Sequence, residues 1–297
     1  MIRLHHRLNV FRILLLLISS FIKLAAELPD LSSVSADLTV PPVSKEAPAA
    51  GIRTQQTTQG WDGTQVHHAL YLPTDWKPGV KYPVLVEYAG NGGYRSKFGD
   101  VSEGTVEGSN LGYGISAGKG FLWVCLPYIE IKDGTKTNAS KWWGDVAETK
   151  RYCLATLQAI CHDYGGDRDA LILCGFSRGS IACNYLGLHD DEIAKLWRAF
   201  VCYSHYDGVT TTWPYADAEK ASALTRLQRL GNRPQFICME NSVEPLRDYL
   251  KQTGVPGNFT FVTIPFRNHN DAWVLRDIPE RRQLREWVQK VLSMPLK

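Results

Sequence analysis

The chain contains no Cys-x-x-Cys pair and no internal repeat, and beyond residue 26 it has no apolar run long enough to span a bilayer. The first absence removes the common zinc and thiol-redox patterns, the second removes repeat architectures, and the third argues against stable membrane insertion of the folded part. Charge of one sign is scarce too. Lys and Arg number 33 against 30 Asp and Glu, but residues 1–26 hold four of the basic residues (Arg3, Arg7, Arg12 and Lys23) and no acidic one, so the remainder carries 29 against 30. The basicity belongs to the N-terminus, and neither nucleic acid nor an anionic membrane is an expected partner of the folded part.

What is present is a globular composition: 297 residues, 44% hydrophobic and 21% charged, enough to bury a full core. Basic residues precede an apolar run from Ile13 to Ile22, followed by Leu24-Ala25-Ala26. This is the layout of a secretory signal peptide over 1–26, cut after Ala26, and the expected location is secreted or periplasmic. Residues 27–52 are rich in Pro, Ser, Ala and Val without periodicity and read as a linker. A single domain is expected over 53–297. Of seven cysteines, Cys125, Cys174, Cys202 and Cys238 fall inside apolar runs and read as buried hydrophobes, and the odd count leaves at least one thiol free.

From residue 53 onward, apolar strand-like runs alternate with amphipathic stretches. The strand candidates are 66–72, 82–88, 120–128, 170–174, 199–203, 235–239 and 258–264, most of them apolar throughout, as strands buried on both faces are. Helical periodicity marks 145–164, 177–188, 191–197, 219–230, 244–252 and 281–292. The expected fold is α/β: a doubly wound, mostly parallel sheet of about eight strands with helices on both faces.

The run Ala170-Leu171-Ile172-Leu173-Cys174 leads straight into Gly175-Phe176-Ser177-Arg178-Gly179 and then into a helical stretch. Gly-x-Ser-x-Gly between a strand and a helix is a nucleophile elbow, in which glycines relieve crowding in a turn so sharp that the serine projects above the sheet. On this motif and its setting the sequence resembles the α/β-hydrolase superfamily over roughly residues 55–293.

That resemblance implies a histidine base on the loop after the last strand. Only His269, in Phe266-Arg267-Asn268-His269-Asn270-Asp271, follows the final strand-like run. A serine hydroxyl is a poor nucleophile until an imidazole takes its proton, and a carboxylate must fix the tautomer of that imidazole. The order Ser, acid, His places the acid between Ser177 and His269. Glu240, at the end of the strand reaching Met239, is favoured; Asp207, in Ser204-His205-Tyr206-Asp207-Gly208, is the alternative acid. Glu244 is a third, although a carboxylate there also suits the opening of a helix. The resemblance also implies two backbone donors for an oxyanion: the N–H of Arg178, and one from the Gly-rich loop Gly90-Asn91-Gly92-Gly93, where Asn91 and Gly92 are the candidates.

Ser-Arg at the elbow is similar to the Gly-Cys-Ser-Arg string of glucuronoyl esterases, which implies that the Arg178 side chain suits an acidic or polar substrate. Trp142, Trp143, Trp213, Trp273, Tyr94 and Tyr113 fall in or near expected loops at the serine end of the sheet and are candidates for a cleft lining. The resulting expectation is an exported serine hydrolase that cleaves carboxylic esters through an acyl-enzyme on Ser177, with carbohydrate-linked esters and polyesters in its range. A serine peptidase and a catalytically silent extracellular binding module are the alternatives. No metal or cofactor is implied.

Overall fold

The computed structural model describes residues 27–295, so the expected signal segment 1–26 lies outside the described residues. In chain order the strands are β1 (Val43–Ser44), β2 (Arg53–Gln56), β3 (His68–Tyr71), β4 (Tyr82–Tyr88), β5 (Tyr94–Arg95), β6 (Val101–Ser102), β7 (Leu122–Leu126), β8 (Ile129–Lys132), β9 (Thr135–Asn138), β10 (Gly166–Phe176), β11 (Ala199–Tyr203), β12 (Pro234–Glu240) and β13 (Asn258–Ile264). β5 with β6 and β8 with β9 form two-stranded ribbons. The other nine make one sheet in the order β1-β2-β3-β7-β4-β10-β11-β12-β13. Only β3 runs antiparallel to its neighbours.

The helices are α1 (Leu111–Ser116), α2 (Val146–Asp163), α3 (Arg178–Tyr185), α4 (Asp191–Ala194), α5 (Lys220–Gln228), α6 (Glu244–Thr253) and α7 (Pro279–Ser293). Apolar residues of α2, α3, α5 and α6, among them Tyr152, Leu157, Ile181, Leu227 and Leu246, share one core. Leu111 and Ile115 of α1 join Leu284, Val288 and Val291 of α7 in a second. Each central strand sends alternate residues into the two cores: Leu171 and Leu173 of β10 to the first, Ile172 and Cys174 to the second. That two-sided burial is why these strands read as unbroken apolar runs. All seven cysteines are buried and unpaired. Among the described residues no helix is long and apolar enough to cross a membrane.

Two features depart from the sequence reading. Residues 27–52 do not form a free linker. Leu31 is buried in the same core as α7, β1 pairs with β2, and the Asp37 carboxylate accepts from the Arg281 guanidinium at 2.6 and 2.7 Å. The segment lacks periodicity because it docks by backbone bonds, such as those from Asp37 and Leu38 N–H to the Leu275 carbonyl, rather than through a regular apolar face. The second feature is α1, whose sequence Leu-Gly-Tyr-Gly-Ile-Ser carries two poor helix formers. It is held from outside: the buried Glu87 carboxylate accepts from Leu111 N–H at 3.1 Å and Gly112 N–H at 2.8 Å.

Candidate active site

The parallel strands β10, β11, β12 and β13 end side by side, with Phe176 beside Tyr203, Tyr203 beside Cys238, and Glu240 beside Ile264. The residues just past those ends are therefore brought together. Ser177 follows β10 at φ 55° and ψ −113°, in the half of conformational space that L-residues avoid. The strain is imposed by the crossing of chain segments. A Cβ on Gly179 would lie 1.9 Å from the Tyr88 carbonyl oxygen, and one on Gly175 would lie 2.2 Å from the Gly179 backbone. The two glycines thus let α3 start directly against β4. Gly179→Ala should cost about 1–3 kcal/mol through overpacking. At about 2–4 °C per kcal/mol, thermal unfolding should show the midpoint falling by several degrees.

His269 lies on the loop after β13, and its Nε2 is 3.1 Å from Ser177 Oγ. Its Nδ1 is 2.6 Å from Glu240 Oε1. The carboxylate only accepts, so Nδ1 carries the proton and Nε2 is left to accept from the serine hydroxyl. Burial alone would raise the Glu240 carboxyl, but the hydrogen bond and charge of His269, aided by Ser204, outweigh it and hold it below its ordinary value. Ser204, at φ 86° just past β11, donates to the same Oε1 at 2.9 Å and also lies 2.9 Å from His269 Nδ1.

The serine opens onto a cleft of about 320 Å³ lined by Asn91, Tyr94, Trp142, Phe176, His205 and Trp213 among others. Rings surround the imidazole of His269: Tyr94 at 5.0 Å, Phe176 at 4.7 Å and His205 at 5.1 Å between centroids. Burial and the neighbouring His269 charge push His205 down to about 4, so it is neutral at physiological pH.

No family model and no curated protein matches the sequence. Solved structures do match in shape. An esterase of Rhizomucor miehei superposes with a TM-score of 0.57 at 14% identity, over 84% of this chain and 85% of that one. Esterase 2 of Thermogutta terrifontis gives 0.53 at 16% identity, over 81% and 93%. Dipeptidyl peptidase 4 of Porphyromonas gingivalis gives 0.51 at 14% identity, over 83% of this chain but 36% of that longer one. The chain has the α/β-hydrolase fold.

Within the α/β-hydrolase fold, the remaining expected residues divide. Asp207 is not at the imidazole. It is buried and engaged with Arg226, its Oδ2 accepting from Nε at 2.7 Å and its Oδ1 from Nη2 at 3.0 Å, while Tyr215 donates a third bond. Glu244 opens α6 and pairs with Arg247 on the surface.

The expected oxyanion donors need one correction. Gly92 N–H already donates to the Ser140 carbonyl at 2.7 Å. A Cβ at Gly92 would also meet the Glu103 and Ser140 carbonyl oxygens at 2.4 and 2.6 Å, so this glycine serves a close approach of loops. Among the described residues the amides of Asn91 and Arg178 have no protein acceptor, and both residues line the cleft.

The Arg178 side chain also differs from expectation. Its guanidinium is buried over the Tyr128 ring at 3.8 Å and donates to the carbonyls of Trp142 at 2.7 Å, Gly104 at 3.2 Å and Ala139 at 3.4 Å. It ties cleft loops together and presents no charge to a substrate. Of the expected aromatics, Tyr94, Trp142 and Trp213 line the cleft, whereas Trp143 and Trp273 are core and Tyr113 packs against Tyr71 and Trp123.

Sequence reasoning missed Ser204 and Asp100. Buried Asp100 accepts from His269 N–H at 3.2 Å, from Asn268 Nδ2 at 2.9 Å and from Ser96 Oγ at 2.7 Å, fixing the loop that carries the histidine. No local pattern marks this role, because Asn268 and His269, the residues it fixes, lie about 170 residues away.

Proposed function

We propose that the protein is an exported serine hydrolase that cleaves carboxylic esters. The observation carrying this reading is the continuous chain Ser177 Oγ, His269 Nε2, His269 Nδ1, Glu240 Oε1 at the mouth of an open cleft. His269 accepts the Ser177 proton as Oγ attacks the ester carbonyl, and the negative oxygen that forms is met by the N–H groups of Arg178 and Asn91. Collapse expels the alkoxide, which takes the proton from His269. Water activated by the same imidazole then hydrolyses the acyl-enzyme and frees Ser177.

Esters are favoured over peptides by the cleft lining. Of the residues lining the cleft only Arg178 has a permanently charged side chain, and its guanidinium is already committed to backbone carbonyls, so no lining residue offers a free charge to the charged end of a peptide. Trp142 and Trp213, with ring centroids 6.0 Å apart, offer flat apolar faces to a sugar ring or polymer chain. Carbohydrate-linked esters and polyesters are the proposed range.

A fluorophosphonate probe should label the protein at Ser177, and p-nitrophenyl acetate should turn over while a matched p-nitroanilide does not. Preferential cleavage of the anilide would favour the peptidase alternative, and absence of both labelling and turnover would favour a binding module. Export rests on the composition of residues 1–26, and it predicts that N-terminal sequencing of the secreted protein starts at Glu27.

A further inference from the structure

The loop carrying His269 is gripped at both ends by the N-terminal strap, residues 27–38. At its start, Arg267 N–H donates to the Pro29 carbonyl at 3.1 Å, and the Arg267 guanidinium reaches the carboxylates of Asp30 at 3.1 Å and Glu27 at 3.0 Å. At its far end, Arg276 Nε donates to the carbonyls of Leu31 at 3.0 Å and Val34 at 2.8 Å. Between these grips runs a buried polar relay. Leu31 N–H donates to Asn268 Oδ1 at 2.7 Å, Asn268 Nδ2 donates to Asp100 Oδ1 at 2.9 Å, and the other Asp100 oxygen accepts from His269 N–H at 3.2 Å. Leu31, Asn268 and Asp100 are each less than 5% exposed, so water does not stand in for a missing partner.

We infer that the strap is a positioning element of the active site: through Leu31, Asn268 and Asp100 it sets the place of His269 against Ser177. The inference rests on His269 being the general base. Asn268 is the hub because its amide alone can accept from the strap backbone and donate to the Asp100 carboxylate at once. A base displaced by a fraction of an ångström loses much of its effect, since proton transfer from Ser177 Oγ requires hydrogen-bond reach. Segment 27–38 would then be required for turnover although none of its side chains lines the cleft.

The test separates the strap's backbone donor from its packing. Leu31→Ala removes a buried side chain but keeps the N–H. Leu31→Pro removes both at the first position of the 3-10 turn Leu31–Ser33, where proline is tolerated. Both variants should melt at lower temperature. Leu31→Ala should keep kcat for a p-nitrophenyl ester within about twofold of wild type, whereas Leu31→Pro should lose about 10- to 100-fold in kcat at unchanged KM. Asn268→Asp, which keeps the acceptor for Leu31 N–H but sets a second carboxylate against Asp100, should show the same kcat loss and serves if Leu31→Pro does not fold. Equal kcat in Leu31→Pro and Leu31→Ala, or wild-type kcat in Asn268→Asp, overturns the strap's role. His269→Ala is the control that tells two failures apart. If it is dead while the relay variants turn over normally, the strap fails alone; if it is active, the assignment of the base fails and the strap's role with it.

Discussion

Ser177→Ala and His269→Ala are each expected to lower kcat on a p-nitrophenyl ester by about 10⁶-fold, and the double variant should lose no more than either single one. The two side chains act as one device. The hydroxyl is 3.1 Å from the imidazole, and without that acceptor it stays protonated and inert. A loss of that size is about 8 kcal/mol of transition-state stabilisation, far beyond what a change in substrate binding supplies. The fold should survive Ser177→Ala: the φ of 55° is imposed by the glycine crossing rather than by the serine side chain, and the deleted hydroxyl faces a cleft open to water. Ester turnover by a folded Ser177→Ala protein within tenfold of wild type would remove the covalent mechanism altogether.

How much of this was legible in the sequence depends on how local the causes are. The strands 82–88 and 199–203 were read to the residue because burial on both faces writes a nearly continuous apolar run, and the edge strand 258–264 because its aromatic and β-branched residues are bounded by turn residues. The elbow was legible because its crowding is relieved within five consecutive residues, Gly175 to Gly179. His269 was singled out only through the resemblance, which implies a base on the loop after the last strand. β2 was not, since Arg-Thr-Gln-Gln carries no apolar signature; its Arg53 is buried by lying 4.2 Å from the Trp123 ring centroid and bonding to the Val106 and Glu107 carbonyls. The strap and the role of Asp100 were invisible for a related reason: the loop they hold lies more than 160 residues away, and no periodicity records a bond to a distant loop. Arg178 shows the limit of motif similarity. A string of four residues fixes where a side chain starts, while the loops around it decide where its charge ends up.

The choice of acid gives two variants with opposite signatures. Glu240→Gln should lower kcat by about 10³- to 10⁴-fold while leaving the melting temperature nearly unchanged. Gln keeps the shape of the side chain but loses the charge that stabilises the imidazolium, and its amide can turn a donor toward His269 Nδ1. That would force the proton onto Nε2, where it blocks acceptance from Ser177. Asp207→Asn should do the reverse. Asp207 and Arg226 form an ion pair in which both side chains are more than 90% buried, and removing the charge of one leaves the other uncompensated. Breaking such a pair costs about 3–5 kcal/mol. At about 2–4 °C per kcal/mol, that lowers the melting midpoint by roughly 10 °C. Because Asp207 makes no contact with His269, the folded fraction of Asp207→Asn should keep wild-type kcat at 25 °C. Thermal melts and ester kinetics on both proteins decide the matter. A stable Asp207→Asn enzyme with the larger loss of kcat would move the acid away from Glu240, and a fully active Glu240→Gln would mean that His269 needs no carboxylate at all.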